Sequence, residues 1–279
     1  MSTLYIVATP LGNLKDITFR AIEVLKSADI IAAEDTRHSQ KLLLHFGISR
    51  KIISLHKDNE SRSTDHLIKL LKSGQSVALI SDAGTPLISD PGFVLVSKAH
   101  ENNIVVSPIP GPCAAIAALS VSGLSCDKFT FEGFLSSSKN TRLARLKVLS
   151  NETRTCIFYE APHRLLETLQ DMCDVLGESR EIVLARELTK TFETIVKSSV
   201  GKLLEFVQKD CSQQLGEIVL IVAGISEENA EKKLNNAQVE NLLKTLLKEL
   251  PLKSAVKIAS DILGISKNKL YEFALKIKS

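Results

Sequence analysis

Short apolar runs alternate with amphipathic stretches along the first 120 residues of the chain. The runs are Leu4–Ala8, Asp29–Ala33, Lys51–Ser54, Ser76–Ser81 and Ile104–Ile109. Apolar runs this short, with little polar alternation, predict strands buried on both faces. Helical spacing starts at Thr18 and continues through Ala21, Ile22 and Leu25, and it returns over 38–46, 60–73, Phe93–Ala99 and Cys113–Leu119. Regular strand–helix alternation predicts a parallel sheet covered by helices on both sides. The rhythm changes near Ser122-Gly123-Leu124-Ser125. Beyond it come strands Phe129–Phe134, Thr155–Tyr159, Ile182–Ala185, Phe192–Val196 and Ile218–Ala223. Helices are expected within Ser136–Leu149, up to about 176 and over 200–208, so this half reads as mixed α/β. Residues 226–237 are polar and linker-like. After them Leu242, Leu243, Leu246, Leu247 and Leu250 recur at helical spacing, then Lys253–Leu263 and Lys269–Ile277 flank the turn Gly264-Ile265-Ser266. Two short helices about a glycine turn outline a helix-turn-helix, a form that many helical appendages share. The resulting fold class is α/β, divided as 1–122, 123–225 and a small helical extension, 226–279.

Candidate chemistry lies where strands end. The run Val77–Ile80 leads into Ser81-Asp82-Ala83-Gly84-Thr85-Pro86, and a second turn cluster, Ser89-Asp90-Pro91-Gly92, follows. Glycine permits close backbone approach to a ligand and proline fixes φ, so this loop is shaped in advance. Ser89 or Asp90 is expected to cap the next helix, with Pro91 at its first position. Further Gly/Pro loops are Thr9–Leu14 and Pro110-Gly111-Pro112. Ligands of open α/β sheets bind at the carboxyl ends of strands. Glu34-Asp35-Thr36-Arg37-His38 concentrates ionisable groups at another strand end.

Composition narrows the class. Of 279 residues, 44% are apolar and 24% charged, a globular balance, and no apolar run reaches the length of a membrane span. Met1-Ser2-Thr3 leads directly into a strand rather than a signal sequence, which predicts a cytoplasmic protein. Five scattered cysteines without CxxC spacing suit reduced thiols better than zinc or disulfides. The net charge of +3 is uneven: residues 230–279 hold ten Lys against five Asp/Glu, so the rest of the chain is slightly acidic. A basic tail favours a polyanion, although lysines on helices are usually just a solvated face. There is no GxGxxG, no P-loop, no HExxH and no GxSxG. What remains suits an adenosine-like ligand packed by Leu11, Leu87 and Ile88, such as a sulfonium methyl donor, whose reaction needs alignment and desolvation more than a metal.

Seven segments, VATPLGNLKDIT (7–18), AEDTRHS (33–39), SDAGTPLISDPG (81–92), PGPCAAIAALSVSGL (110–124), YEAPHRL (159–165), RELTKTFE (186–193) and GEIVLIVAG (216–224), together resemble the tetrapyrrole methylase family of S-adenosylmethionine-dependent methyltransferases. The resemblance runs from about residue 3 to 224 and departs at Cys113, where serine is more familiar. It implies two α/β domains with the donor, S-adenosyl-L-methionine, in the cleft between them. It also implies 2′-O-methylation of a cytidine in the decoding region of 16S rRNA within the 30S subunit, and a homodimer. The donor site it implies comprises Leu11, Gly84, Thr85, Pro86, Ile88, Cys113, Ala114, Tyr159, Ala185 and Arg186, with Asp82 orienting the loop or meeting the donor. No metal is expected. Glu34 or Asp35, ahead of Glu187, are candidates for the base that removes the ribose proton, and an interface ion pair explains them equally well. Arg37, Lys190, Lys253, Lys257, Lys267 and Lys269 are candidate phosphate contacts. Two other functions remain: a porphyrin or corrin methylase, and an inactive RNA-binding protein on the same fold. The lysine-rich tail leans toward RNA.

Overall fold

The computed structural model describes residues 2–226, 239–264 and 266–278. The chain groups into two compact units, residues 1–146 with 155–223, and residues 147–154 with 224–279.

The first unit contains two five-stranded sheets. Strands β1 (Thr3–Val7), β2 (Ile30–Ala33), β3 (Lys51–Ser54), β4 (Val77–Ile80) and β5 (Val105–Ile109) form a parallel sheet in the order β3-β2-β4-β1-β5. Its strands alternate between two cores, which is why they lack polar alternation. Leu4, Ala32, Val77 and Leu79 face α3 (Glu60–Lys72) and α4 (Phe93–Glu101), where Leu67, Leu71 and Leu95 are buried. Val7, Ile31, Ala33, Ala78 and Ile80 face α1 (Phe19–Ser27) and α2 (Thr36–His45). Thr18 caps α1 by accepting the Ala21 N–H, and Asp35 caps α2 by accepting the N–H groups of Arg37 and His38.

The second sheet is mixed. Strands β6 (Phe129–Phe134), β7 (Thr155–Glu160), β8 (Glu181–Arg186), β9 (Thr194–Ser199) and β10 (Ile218–Val222) take the order β6-β7-β10-β8-β9. Only β6 and β7 run parallel. Helix α5 (Ala114–Ser122) packs on this sheet, its alanines against Ile157, Val183, Ala185, Val219 and Ile221. On the other face Phe158, Leu184 and Leu220 are buried. Helix α8 (Val200–Lys209) packs against β8, β9 and α7 (Leu165–Leu176), and Arg142 of α6 (Lys139–Leu149) pairs with Asp171 of α7.

Two expectations are corrected. The helix after the central loop is not capped by Ser89 or Asp90, and Pro91 lies before its cap rather than at its first position. Gly92 occupies its N-cap and has no side chain to offer, so Glu60 Oε1 on α3 accepts the N–H groups of Gly92 and Val94 instead. The strand expected from Phe192 begins at Thr194, because Phe192 is 72% exposed and its carbonyl is bound by Arg186 and Thr194 side chains.

In the second unit a helix over 239–249 (α9) precedes α10 (Leu252–Leu263) and α11 (Lys267–Lys278). Val239, Leu243, Val256, Ala259, Leu270 and Ala274 form its core. Gly264 ends α10 in the left-handed conformation. The expected linker over 226–237 lies, beyond Ser226, outside the described residues. No described helix is long and apolar enough to cross a membrane.

Candidate functional site

Four neighbouring strands of the parallel sheet end at the same place, and their loops are stitched to one another. Thr9, after β1, and Gly84, after β4, exchange backbone hydrogen bonds at 2.8 and 3.0 Å, and Thr9 Oγ1 donates to Ser81 O at 3.1 Å. Thr85 Oγ1 donates to Pro112 O, after β5, at 2.8 Å. Beyond β2, the Asp35 N–H donates to Asp82 Oδ1 at 3.1 Å. Gly84 sits at φ +80°, and a Cβ there would lie 3.1 Å from Leu11 Cδ2 and 3.6 Å from the Pro112 carbonyl. The positive φ favours glycine, and a Cβ would press on the Leu11 side chain.

The second sheet presents the facing wall. The antiparallel register aligns Glu160, Ile218 and Arg186, so the ends of β7 and β8 meet the start of β10. Its loop after β8 reaches back to the first sheet, where the Asn13 N–H donates to Thr189 Oγ1 at 3.2 Å. Between these walls lies a cavity of about 370 Å³, a size suited to a small ligand.

One side of the cavity is apolar, built by Leu11, Ile88, Ala114, Ala185, Leu188 and Val219. Another is acidic, with Glu34, Asp82 and Asp90 at its surface. Burial pushes the Glu34 carboxyl above its ordinary value, and the nearby charges of Asp90 and Asp82 add to this against the opposing pull of Lys57. Burial also raises Asp90, to about 6, with a Ser81 hydrogen bond and Lys57 opposing and Asp82 assisting. Burial drives the Tyr159 phenol upward, and its oxygen accepts the Ala115 N–H at 3.2 Å.

Of the residues singled out in sequence, Leu11, Glu34, Asp82, Gly84, Thr85, Ile88, Ala114, Tyr159 and Ala185 come together on this cavity. The others do not line it. Pro86 is buried behind the loop, and Cys113 occupies the N-cap of α5. Arg186 points away and is consumed by Gln213, Leu215, Phe192 and Thr194. Asp35 is engaged as a cap, its carboxyl held down by the Arg37 and His38 N–H groups. Burial would raise Glu187, but its contacts with Lys190 at 2.8 Å and the Glu217 N–H at 2.9 Å prevail and lower it. Arg37 is exposed at the start of α2, and Lys190 lies over Gly12 while bridging Glu187 and Glu217. Lys253, Lys257 and Lys267 are exposed in the second unit, whereas the Lys269 side chain lies outside the described residues. Sequence reasoning missed Phe134, Glu160, Leu188 and Glu217 as lining residues. A glycine inside the β6 run, Gly133, is the one signal that pointed toward Phe134.

The cavity fits a sulfonium nucleoside. The Gly84 cradle would be filled by any Cβ, the apolar wall suits an adenine and a thioether chain, and the carboxylates suit hydroxyl or ammonium groups. Among the described residues no group of three or more His, Cys, Asp or Glu side chains could hold a metal ion.

Comparison with known proteins agrees with this geometry. The family model of Tetrapyrrole (Corrin/Porphyrin) Methylases matches residues 3–204, and that of the RsmI C-terminal HTH domain matches residues 234–278. The protein named Ribosomal RNA small subunit methyltransferase I from Escherichia coli O157:H7 is 52% identical over 273 residues, 98% of this chain and 94% of its own. Its namesake from Vibrio cholerae serotype O1 is 51% identical over 273 residues, with the same coverage. Among solved structures, a diphthine synthase shares the fold with a TM-score of 0.61 at 15% identity, covering 83% of this chain and 94% of that one.

Proposed function

Because the chain belongs to the tetrapyrrole (corrin/porphyrin) methylase family, we propose that it methylates small-subunit ribosomal RNA with S-adenosyl-L-methionine as donor. Its target in this reading is the ribose 2′-hydroxyl of a cytidine in the decoding region of 16S rRNA, within the 30S subunit. One observation carries it: identity of about half to proteins named as small-subunit rRNA methyltransferases extends over 98% of the chain, including the helical C-terminal region. A tetrapyrrole would use the same fold but would give the exposed lysines of α10 and α11 no task.

The donor supplies an activated methyl group on a sulfonium centre. Leu11, Ile88, Ala114, Ala185 and Val219 hold its apolar parts and exclude water, while the Gly84 backbone lets the ligand approach the β4 loop. Glu34 is the carboxylate placed to take the hydroxyl proton onto Oε, since it lines the cavity and its raised pKa brings it nearer neutrality. Asp35 and Glu187 keep supporting roles, as helix cap and as anchor of Lys190. Arg37, Lys190, Lys253, Lys257, Lys267 and Lys269 supply the positive charge that meets the RNA phosphates. The active species is a cytoplasmic homodimer, which light scattering at micromolar concentration checks.

Radiolabelled donor incubated with isolated 30S particles, with naked 16S rRNA and with a precorrin tests the whole reading. Label in a cytidine ribose of the small-subunit RNA is the expected result. Label in the tetrapyrrole alone, or none anywhere, overturns it.

A further inference from the structure

Strand β6 carries one residue too many for its partner. Phe129, Thr130 and Phe131 pair with Thr155, Cys156 and Ile157, but Gly133 and Phe134 then pair with Phe158 and Tyr159, leaving Glu132 over. In an unbroken strand, residues 131 and 134 would point to opposite faces. The bulge puts both on the face of Ile157 and Tyr159. Gly133 makes this possible at φ +65°, and a Cβ there would come within 3.3 Å of Ser89 Oγ. Bulges recur beside active sites because they re-aim a side chain.

The re-aimed ring is Phe134. Its centroid lies 5.7 Å from that of Tyr159 and that of Phe131 lies 4.9 Å from it, both edge to face. Among the described residues only Tyr159 and Phe134 bring aromatic rings to the cavity. Tyr159 is fixed by its bond from the Ala115 N–H, whereas Phe134 is 53% exposed. The chain that follows is held firmly. Arg164 donates to Leu135 O at 3.0 Å, and Arg142 donates to Ser136 O and Ser137 O at 3.3 and 3.4 Å. Both arginines are themselves anchored, Arg164 by Glu160 at 2.7 Å and Arg142 by Asp171 at 2.6 Å. An exposed ring at the end of a strand whose outgoing chain is so firmly held is organised before any ligand arrives. The hydroxyl-rich segment Ser136–Ser138 and Lys139, 69% exposed, lie next in the chain and suit a sugar–phosphate backbone.

A ribose whose hydroxyl enters this cavity carries its base one glycosidic bond away, so the base lies against the wall at the mouth. Single-stranded bases are held by stacking on aromatic rings. We propose that Phe134, turned into the cavity by the β6 bulge, is the platform on which the base of the target nucleotide stacks. The proposal rests on the RNA reading above.

The chain contains no tryptophan, so Phe134→Trp places a single fluorescent reporter at the platform. Its emission is expected to be quenched by an oligocytidine hexamer and not by the matching abasic hexamer. In the full-length protein, Phe134→Ala is expected to lower kcat/KM for 30S particles about 5- to 100-fold, with calorimetric donor affinity unchanged and Phe134→Tyr closer to wild type. Equal quenching by both hexamers, or a folded Phe134→Ala within twofold of wild type, overturns the proposal. So does a loss of donor affinity, which would assign the ring to the donor's adenine, or conversion to a monomer, which would assign it to a second copy. Failure of the wild-type protein to methylate 30S particles would instead sink the RNA reading itself.

Discussion

Neighbouring carboxylates at the acidic end of the cavity behave differently because their surroundings differ: Glu34 and Asp90 line it, whereas Asp35 does not. Glu34 and Asp90 are raised by burial and share the field of Asp82, while Asp35, one residue from Glu34, is held low by two backbone N–H groups. Glu34→Gln should therefore reduce single-turnover methyl transfer about 10²-fold or more with donor affinity intact. Asp35→Ala should lower the melting temperature by a few degrees through the missing cap and leave the chemistry closer to wild type. Rapid-quench kinetics beside thermal melts would separate the two, and equal transfer rates in Glu34→Gln and wild type would end the base assignment. In the native protein the transfer rate should fall as pH drops through the raised Glu34 value, since the proton acceptor must be ionised. Asp90 makes a second pH statement. Its folded pKa of about 6 stands above the ordinary 3.8, so its contribution to stability is full below about pH 4 and is lost as pH rises through 6. Asp90→Asn should consequently melt higher than wild type near pH 7.5, with the advantage shrinking toward pH 4.5. A pH-independent difference would contradict the shift.

At the scale of elements, the β6–α6–α7 corner depends on one buried ion pair. Arg142 and Asp171 are 2% and 3% exposed, and the guanidinium also holds the carbonyls that follow Phe134. Removing one partner strands the other charge in a dry setting, so Asp171→Leu should destabilise by about 3–5 kcal/mol. The double replacement Arg142→Met with Asp171→Leu should recover much of that loss, because no uncompensated charge remains. Urea titrations of the three proteins would show it, and additive losses would argue against a coupled pair. The central loop is an element with a different demand. Gly84→Val inserts a Cβ against Leu11 at a positive φ, and should abolish donor binding while circular dichroism stays native. Undiminished calorimetric affinity in the folded variant would refute the donor assignment.

At the scale of the whole molecule, each compact unit has its own apolar core, and the second carries exposed Lys253, Lys257 and Lys267. The division into 1–122, 123–225 and 226–279 is a proposal about independent folding, and it coexists with an α5 that packs on the second sheet. A chain ending at Ser226 should bind the donor as the full chain does and bind 30S particles more weakly. The salt slope of binding should fall by about 0.7–0.9 for every phosphate that the shortened chain no longer neutralises. Filter binding over a range of salt concentrations measures both quantities. Equal affinity and an equal slope would mean that the C-terminal helices are not a phosphate grip.

What the amino-acid sequence determined on its own was the set of local elements and their class. Runs such as Val77–Ile80 must be covered on both faces, and the Thr18 and Gly264 boundaries follow from caps whose chemistry is contained within a few residues. The Gly/Pro loops marked one side of the cavity for the same reason, since Leu11 and Gly84 belong to turns that announce their own backbone needs and Ala114 opens the helix after Pro110-Gly111-Pro112. Tertiary structure alone decided the rest. The order β3-β2-β4-β1-β5, the Thr9–Gly84 pairing and the Glu60 cap on α4 join residues tens of positions apart, beyond any periodicity. The protonation of Glu34 and Asp90 depends on burial and on charges brought in from other segments. Phe134 reads as a residue on the face opposite Phe131 until the register with Tyr159 exposes the extra residue. A bulge exists only between two strands, so one strand's alternation cannot reveal it.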